Sequence, residues 1–203
     1  IAKGYRNLPD PVQKGAGNAV KNLSNLITIP NNILQGNVKL AIINTGRLFV
    51  NTTVGILGTM DVANKMGFPK YEKEDYGQTL GTWGIGPGCY VVLPVLGPSN
   101  IRDTAGSFAN VLGGDPWYNA SAHGNNQFLS KDLYMTSKAL SGVDFRSNNL
   151  ESFDNLENNS IDFYATVRSV YSQNRENQIK NNQRGNVEVL YKNDQDWTEI
   201  DNK

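Results

Sequence analysis

The chain has 203 residues, 38% of them hydrophobic, with 19 basic against 19 acidic side chains, one His and one Cys. That length supports one domain, or at most two small ones, around a real core, and the zero net charge gives no electrostatic reason to expect nucleic acid as a partner. With Cys89 and His123 each alone, a disulfide framework, a Cys/His zinc site and a CxxC redox pair are excluded, and no metal or cofactor is expected.

The first predicted element follows Asp10, which reads as an N-cap before Pro11. Val12, Ala16, Ala19, Val20, Leu23 and Leu26 recur at three-to-four-residue spacing and predict a helix over 11–26. Between Asn37 and Asn51, an apolar stripe of Val38, Ala41, Ile42, Leu48 and Phe49, with Thr45, predicts a second helix. It carries a sparse polar set, Lys39, Asn44, Arg47 and Asn51. Such a set is ordinarily a solvated face; the alternative is a polar lining.

Tyr76 to Ile101 is 26 residues without a charge, long enough to span a bilayer. Gly77, Gly81, Gly84, Gly86, Gly88, Pro87, Pro94 and Pro98 break the backbone ladder that lipid demands, so the segment reads as a loop or hairpin in sheltered surroundings. Ser99 can cap a helix carrying Ile101, Ala105, Phe108, Ala109 and Leu112, with Asp103 in its first turn and Gly113-Gly114 at its end. Helical spacing recurs over 128–140 and 161–179. From Gln183 the chain reads as a polar tail, in which 187–191 could pair as a short strand. Charge rises along the chain: residues 22–101 hold nine charged side chains and residues 102–203 hold 24.

Catalytic chemistry finds little support. His123, beside Gly124, Asn125 and Asn126, sits in loop chemistry, and Cys89, among Val91, Val92 and Leu93, reads as a small buried hydrophobe outside any nucleophile elbow. Gly84, Gly86 and Gly88 lack both the GxGxxG spacing and a terminal Lys-Ser/Thr, which argues against a phosphate loop. Lys70, Glu72, Lys73, Glu74 and Asp75 could hold a cation or form a solvated turn.

Leu34-Gln35-Gly36, Arg47-Leu48-Phe49-Val50-Asn51-Thr52-Thr53-Val54-Gly55 and Asp61-Val62-Ala63 resemble the MlaA (VacJ) lipoprotein family. The run from Glu74 through Tyr90, then Leu93-Pro94-Val95-Leu96-Gly97-Pro98-Ser99 and Arg102-Asp103, resembles that family's central signature. Tyr164, Arg168, Tyr171, Gln173 and Arg175 carry the likeness towards Asn182. Cys89 stands where the family commonly has Pro, and Asp162-Phe163-Tyr164 where it often has Asp-Pro-Tyr. The family's lipidated N-terminal Cys is absent from this sequence, which opens at Ile1, so a preceding segment is expected.

The resemblance implies a mainly α, single ring-shaped helical domain over 1–182 with a Gly/Pro-rich hairpin loop, embedded in one leaflet, followed by a polar tail over 183–203. It implies an outer-membrane lipoprotein of Gram-negative bacteria, not an enzyme, that removes misplaced phospholipids through an amphipathic channel. Its implied partners are phospholipid, a trimeric outer-membrane porin and a soluble periplasmic phospholipid-binding protein. A charge-poor first half suits acyl chains and a charge-rich second half suits water. At roughly 0.8 kcal/mol per methylene, two acyl chains in water cost on the order of 20 kcal/mol, which is why a channel and a hand-over are needed. In that reading Gly84, Gly86 and Gly88 form a gate or hinge near the channel, with Trp83 and Tyr90 beside it in interfacial or core positions. Lys39, Asn44, Arg47 and Asn51 supply part of the polar lining, unless Arg47 is taken up by a local carboxylate such as Asp61 or Asp103. The competing reading is a non-transporting scaffold that clamps a porin; a phospholipase is disfavoured because no nucleophile, base and orienter assemble.

Overall fold

The computed structural model describes residues 2–93, 97–123 and 131–198, with side chains described for these except at 111, 122, 123 and 181–198. Pro94, Val95 and Leu96 of the signature, the 124–126 stretch beside His123, that residue's side chain, and the 128–130 start of a predicted helix lie outside the described residues.

The fold is mainly helical. After a single turn, α1 (Ala2–Tyr5), α2 runs from Asp10 to Leu34, eight residues beyond the predicted end at 26. Thr28, Ile29 and Pro30 are poor helix formers, which hides this stretch from periodicity. Tertiary contacts override them: the Thr28 hydroxyl is 2.9 Å from that of Tyr71, and Asn31 Oδ1 accepts from Thr79 Oγ1 at 2.5 Å. Asn37 caps α3 (Val38–Thr53) by accepting from Leu40 N. The α2 and α3 helices pair antiparallel, with Asn44 Nδ2 donating to Asn32 Oδ1 at 2.8 Å and Asn22 Nδ2 to Thr52 Oγ1 at 2.9 Å.

A short α4 (Val62–Lys65) precedes the charged turn at 70–75. Within the charge-free run, a helix that the sequence conceals, α5 (Tyr76–Thr82), is capped by Asp75, whose Oδ1 accepts from Gln78 N at 3.0 Å. The expected hairpin follows: β1 (Tyr90–Leu93) pairs antiparallel with β2 (Gly97–Asn100), Tyr90 opposite Asn100 and Leu93 opposite Gly97. Next comes α6 (Ile101–Ala109), then a π-helical turn over Asn110–Gly114. The cap of α6 is Asn100 and not Ser99: Asn100 Oδ1 accepts from Asp103 N at 2.8 Å, whereas Ser99 is extended and paired with Val91.

The remaining helices are α7 (Pro116–His123), α8 (Lys131–Asn148), α9 (Leu150–Asn159) and α10 (Phe163–Thr198). Instead of a strand over 187–191, α10 continues through it, since among the described residues no neighbouring strand offers a ladder to that segment. Contacts run α2 to α5, α5 to α6, α6 to the π-helical turn, that turn to α7, and α7 back to α2, closing a circuit of helices. Gly106 lets two members of this circuit touch, because a Cβ there would sit 2.4 Å from Gly77 N.

Burial is inverted in the first half. Among the described residues, Asn22, Asn25, Thr28, Asn31, Asn32, Asn44, Arg47 and Asn51 are buried along α2 and α3, with only Ile27 and Ala41 as buried hydrophobes there. Ile33, Leu34, Val38, Ile42 and Phe49 are exposed, Ile42 and Phe49 to 68% and 69%. The turn after α3 exposes Val54, Ile56, Leu57 and Met60 as well. The polar set on α3 is therefore no solvated face: Asn44, Arg47 and Asn51 point inward and the apolar stripe points out.

Candidate functional site

The charged residues that meet in space come from four separate elements. Arg175 on α10 clamps Asp75 with two guanidinium nitrogens, Nη1 to Oδ2 at 2.9 Å and Nη2 to Oδ1 at 2.8 Å, and its Nε donates to Asp103 Oδ2 at 2.9 Å. Asp103 also accepts from Tyr171 Oη at 2.5 Å, Asn100 Nδ2 at 2.7 Å, and Arg102 Nε and Nη2 at 3.0 and 2.9 Å. Burial alone would raise both aspartates; hydrogen bonds and charge from Arg175 outweigh it and hold them below the usual carboxylate range. Although burial works against its charge, Arg175 is held more firmly protonated than usual by the same two carboxylates. Burial and the Asp103 carboxylate push the Tyr171 hydroxyl well up, so it remains a donor.

Beside this cluster lies a cavity of about 410 Å³. Its wall includes Ile27 from α2, Lys73 and Asp75 from the charged turn, Asp103 and Gly106 from α6, Lys138 from α8, and Tyr171 and Arg175 from α10. Lys73 touches solvent but is crowded by protein, and that burial, with the charges of Lys138 and Arg175, lowers its pKa against the pull of Asp75. Lys138 Nζ is 3.0 Å from Oδ2 of Asp115, which is fully buried, and lies 5.1 Å from the Tyr134 ring centroid. Tyr134 donates to the same carboxylate oxygen at 3.2 Å, and burial together with Asp115 pushes its pKa up to about 12. The cavity thus offers two ammonium groups and an apolar wall of Ile27, Leu93 and Pro98, a combination suited to an anionic group carrying a hydrocarbon portion.

The residues singled out from sequence fall into three places. Asn44, Arg47 and Asn51 share the inner face of α3. Arg47, 2% exposed, grips Asp61 with one nitrogen at 2.8 and 2.9 Å and the Pro69 carbonyl with another at 2.7 Å, and Asn51 joins Asp61 at 3.1 Å while accepting from Ala63 N at 2.9 Å. Lys39 stands apart, exposed near the start of α3. Among the described residues the cavity wall includes none of these four.

Gly84 ends α5: with φ at +87° it lets Gly84 N reach the Gly81 carbonyl and Ile85 N the Leu80 carbonyl, both at 3.0 Å. Gly88 also has positive φ and lies against Ile101, while Gly86 is surrounded by open space. Cys89, expected to be buried, is exposed, because it precedes β1 in the segment that leads out of α5. Trp83, 57% exposed, donates its indole N–H to the Leu34 carbonyl at 3.0 Å and so ties α5 to the end of α2. Tyr90 stacks edge-on against Tyr164 and Tyr171, with centroids 5.5 and 6.1 Å away.

The family model for the MlaA lipoprotein matches residues 1–178. This chain belongs to the MlaA lipoprotein family. An uncharacterized protein of Rickettsia bellii is 35% identical over 182 residues, which is 89% of this chain and 68% of that protein. The intermembrane phospholipid transport system lipoprotein MlaA of Escherichia coli K12 is 32% identical over 177 residues, covering 85% of this chain and 66% of that protein. A solved structure described as the structural basis for maintenance of bacterial outer membrane lipid asymmetry superposes with a TM-score of 0.73 at 29% identity, over 88% of this chain and 85% of the other. Asp75, Arg102, Asp103, Tyr171 and Arg175, which lie in the stretches that carried the sequence resemblance, converge in the ionic cluster. Lys73 and Lys138 escaped sequence reasoning. The first looked like part of a solvated turn, and nothing local marks the second.

Proposed function

We propose that this chain removes mislocalised phospholipid from the outer leaflet of the bacterial outer membrane through its central cavity and passes it to a soluble periplasmic phospholipid-binding protein. The observation that carries this reading is the inverted burial: asparagines and arginine inside α2 and α3, with Ile42 and Phe49 outside. In water that arrangement forfeits hydrophobic stabilisation on both counts; among acyl chains the exterior is solvated by lipid and the polar interior can accept a headgroup. No helix among the described residues is long and apolar enough to cross a membrane. In this reading the domain sits on the periplasmic-leaflet side of the outer membrane, held by the lipid anchor that the family's lipoprotein name implies.

In this mechanism Lys73 and Lys138 receive the phosphate, while Ile27, Leu93 and Pro98 meet the start of the acyl chains. Asn44, Arg47 and Asn51 act outside the cavity wall, where Arg47 and Asn51 tie α3 to Asp61 at the start of α4 and Asn44 ties it to α2. The 84–88 segment is the hinge through which the hairpin moves, with Gly86 its freest point, and Trp83 and Tyr90 flank it. No hydrolysis is involved. The domain comprises residues 1–182, with 183–203 as an appendage that α10 carries.

Purification from membranes, followed by mass spectrometry of what accompanies the chain, tests the reading. Intact diacyl phospholipid with a trimeric porin is the expected result. Porin without lipid would overturn transport in favour of a scaffold, and lysolipid or free fatty acid would point to hydrolysis. Lys73→Gln with Lys138→Gln should lower lipid recovery at least tenfold; unchanged recovery would remove these two lysines from the path.

A further inference from the structure

A second cleft, of about 560 Å³, lies between the start of the hairpin and α10. Arg175 borders both this cleft and the central cavity, so the two spaces adjoin at this residue of the ionic cluster. The cleft is bordered by Tyr90, Arg102, Arg168, Arg175, Glu176 and Lys180, with Pro87 and Ile179 as apolar wall.

Charge in this cleft does not balance. Arg102 and Arg175 are matched by Asp103 and Asp75, and Lys180 by Glu176 at 2.6 Å. That leaves Arg168, for which no carboxylate partner exists among the described residues. Its guanidinium lies 6.0 Å from the Tyr90 ring centroid, a contact that orients the planar fork without consuming its donors. An unmatched arginine held by an aromatic ring beside an apolar wall is suited to an anion joined to hydrocarbon, and the fork geometry favours the paired oxygens of a phosphate.

We propose that this outer cleft is a phosphate-binding site, separate from the central cavity, in which Arg168 engages the phosphate of an amphiphile and Tyr90 fixes the guanidinium. The chemistry recognised is a phosphate group, from a lipid headgroup or from free phosphate. Only the choice of a lipid as the source rests on the transport reading.

The test titrates the full chain in detergent with dihexanoylphosphatidylglycerol, with inorganic phosphate as competitor and dihexanoylglycerol as the phosphate-free control, read by calorimetry. Arg168→Gln should weaken phosphatidylglycerol binding at this site at least tenfold, with Arg168→Lys recovering part of it. Arg146→Gln, a cation over Phe153 elsewhere in the molecule, should have no effect. Because Arg168 is exposed and makes a single ring contact, its variants are expected to fold, and the helical circular dichroism signal checks this. Tight lipid binding with weak phosphate competition supports a headgroup site. Phosphate binding lost in Arg168→Gln, with no lipid bound by either protein, supports a free-phosphate site and defeats the transport reading. Lipid binding undiminished in Arg168→Gln, or dihexanoylglycerol binding as well as phosphatidylglycerol, overturns the proposal and leaves the transport reading standing.

Discussion

The α2–α3 pair and the α8–α9 pair both expose large apolar side chains, Ile42 and Phe49 on one, Met135 and Phe145 on the other. Their interiors and flanks differ. Between α2 and α3 the buried groups are amides and a guanidinium, and residues 22–38 carry no charge. The second pair buries Tyr134 and Leu150, and its exterior carries Lys131, Asp132, Glu151, Asp154 and Glu157. Exposed hydrophobes alone are common on protein surfaces; a polar interior joined to an apolar exterior poor in charge, with Lys39 the exposed charge on α3, identifies a surface matched to hydrocarbon.

The largest effect that can break this contrast comes from the cluster joining the regions. Arg175→Met leaves Asp75 without its guanidinium clamp and Asp103 with Arg102 as its remaining cation, and is expected to cost about 3–5 kcal/mol by chemical denaturation. The same pair sets an acid limit. Both aspartates have folded pKa values below their unfolded ones, so their stabilisation is present above about pH 4 and is lost as pH falls through the folded values. The Arg175→Met protein should show a shallower loss of stability in that window.

Glu74 has the opposite sign. It is 5% exposed, accepts from Gln35 Nε2 at 3.1 Å, and burial raises its pKa to about 7. A carboxyl raised on folding favours the protonated state, so stability falls as pH climbs from about 4.5 to about 7. Glu74→Gln should therefore stabilise the protein by about 3 kcal/mol at pH 8 and by little at pH 4.5, measured as denaturation midpoints at the two pH values. Equal shifts at both would mean that folding does not raise the Glu74 pKa.

Phe49→Ser sharpens the exterior side of the comparison. It should weaken partition into phospholipid vesicles by about 1.5–3 kcal/mol, while Phe145→Ser leaves partition nearly unchanged. Equal losses would make the two surfaces equivalent. The smallest stability effect belongs to Gly86→Ala, with open space around it and no positive φ; the expected change is within about 0.5 kcal/mol. A bulkier Gly86→Trp should slow lipid transfer with the fold intact, and unchanged transfer would remove the hinge role.

The helices over 38–53 and 101–109, the hairpin and the stop at Gly113 were legible because each is written in local signals: a cap, a spacing, a turn residue. The second half of α2 was not, because Thr28, Ile29 and Pro30 disfavour helix locally and are held by Tyr71 and by partners across α5. Nor was α5, since glycines at 77 and 81 mask its period while serving the close approach to α6 and α10.

By itself, the sequence determined the family, the charge-poor first half, and the presence of Asn44, Arg47 and Asn51 on one helical face, since spacing and composition are properties of the chain alone. Which way that face points was decided only in three dimensions. Asp61, the Pro69 carbonyl and Asn32 take up most of its polar groups inside, with Arg47 Nε left unpartnered, so burying them costs less than their type suggests. The same holds for the ionic cluster: 28 residues separate Asp75 from Asp103 and 72 more lead to Arg175, and only the closed circuit of helices brings all three within hydrogen-bonding distance.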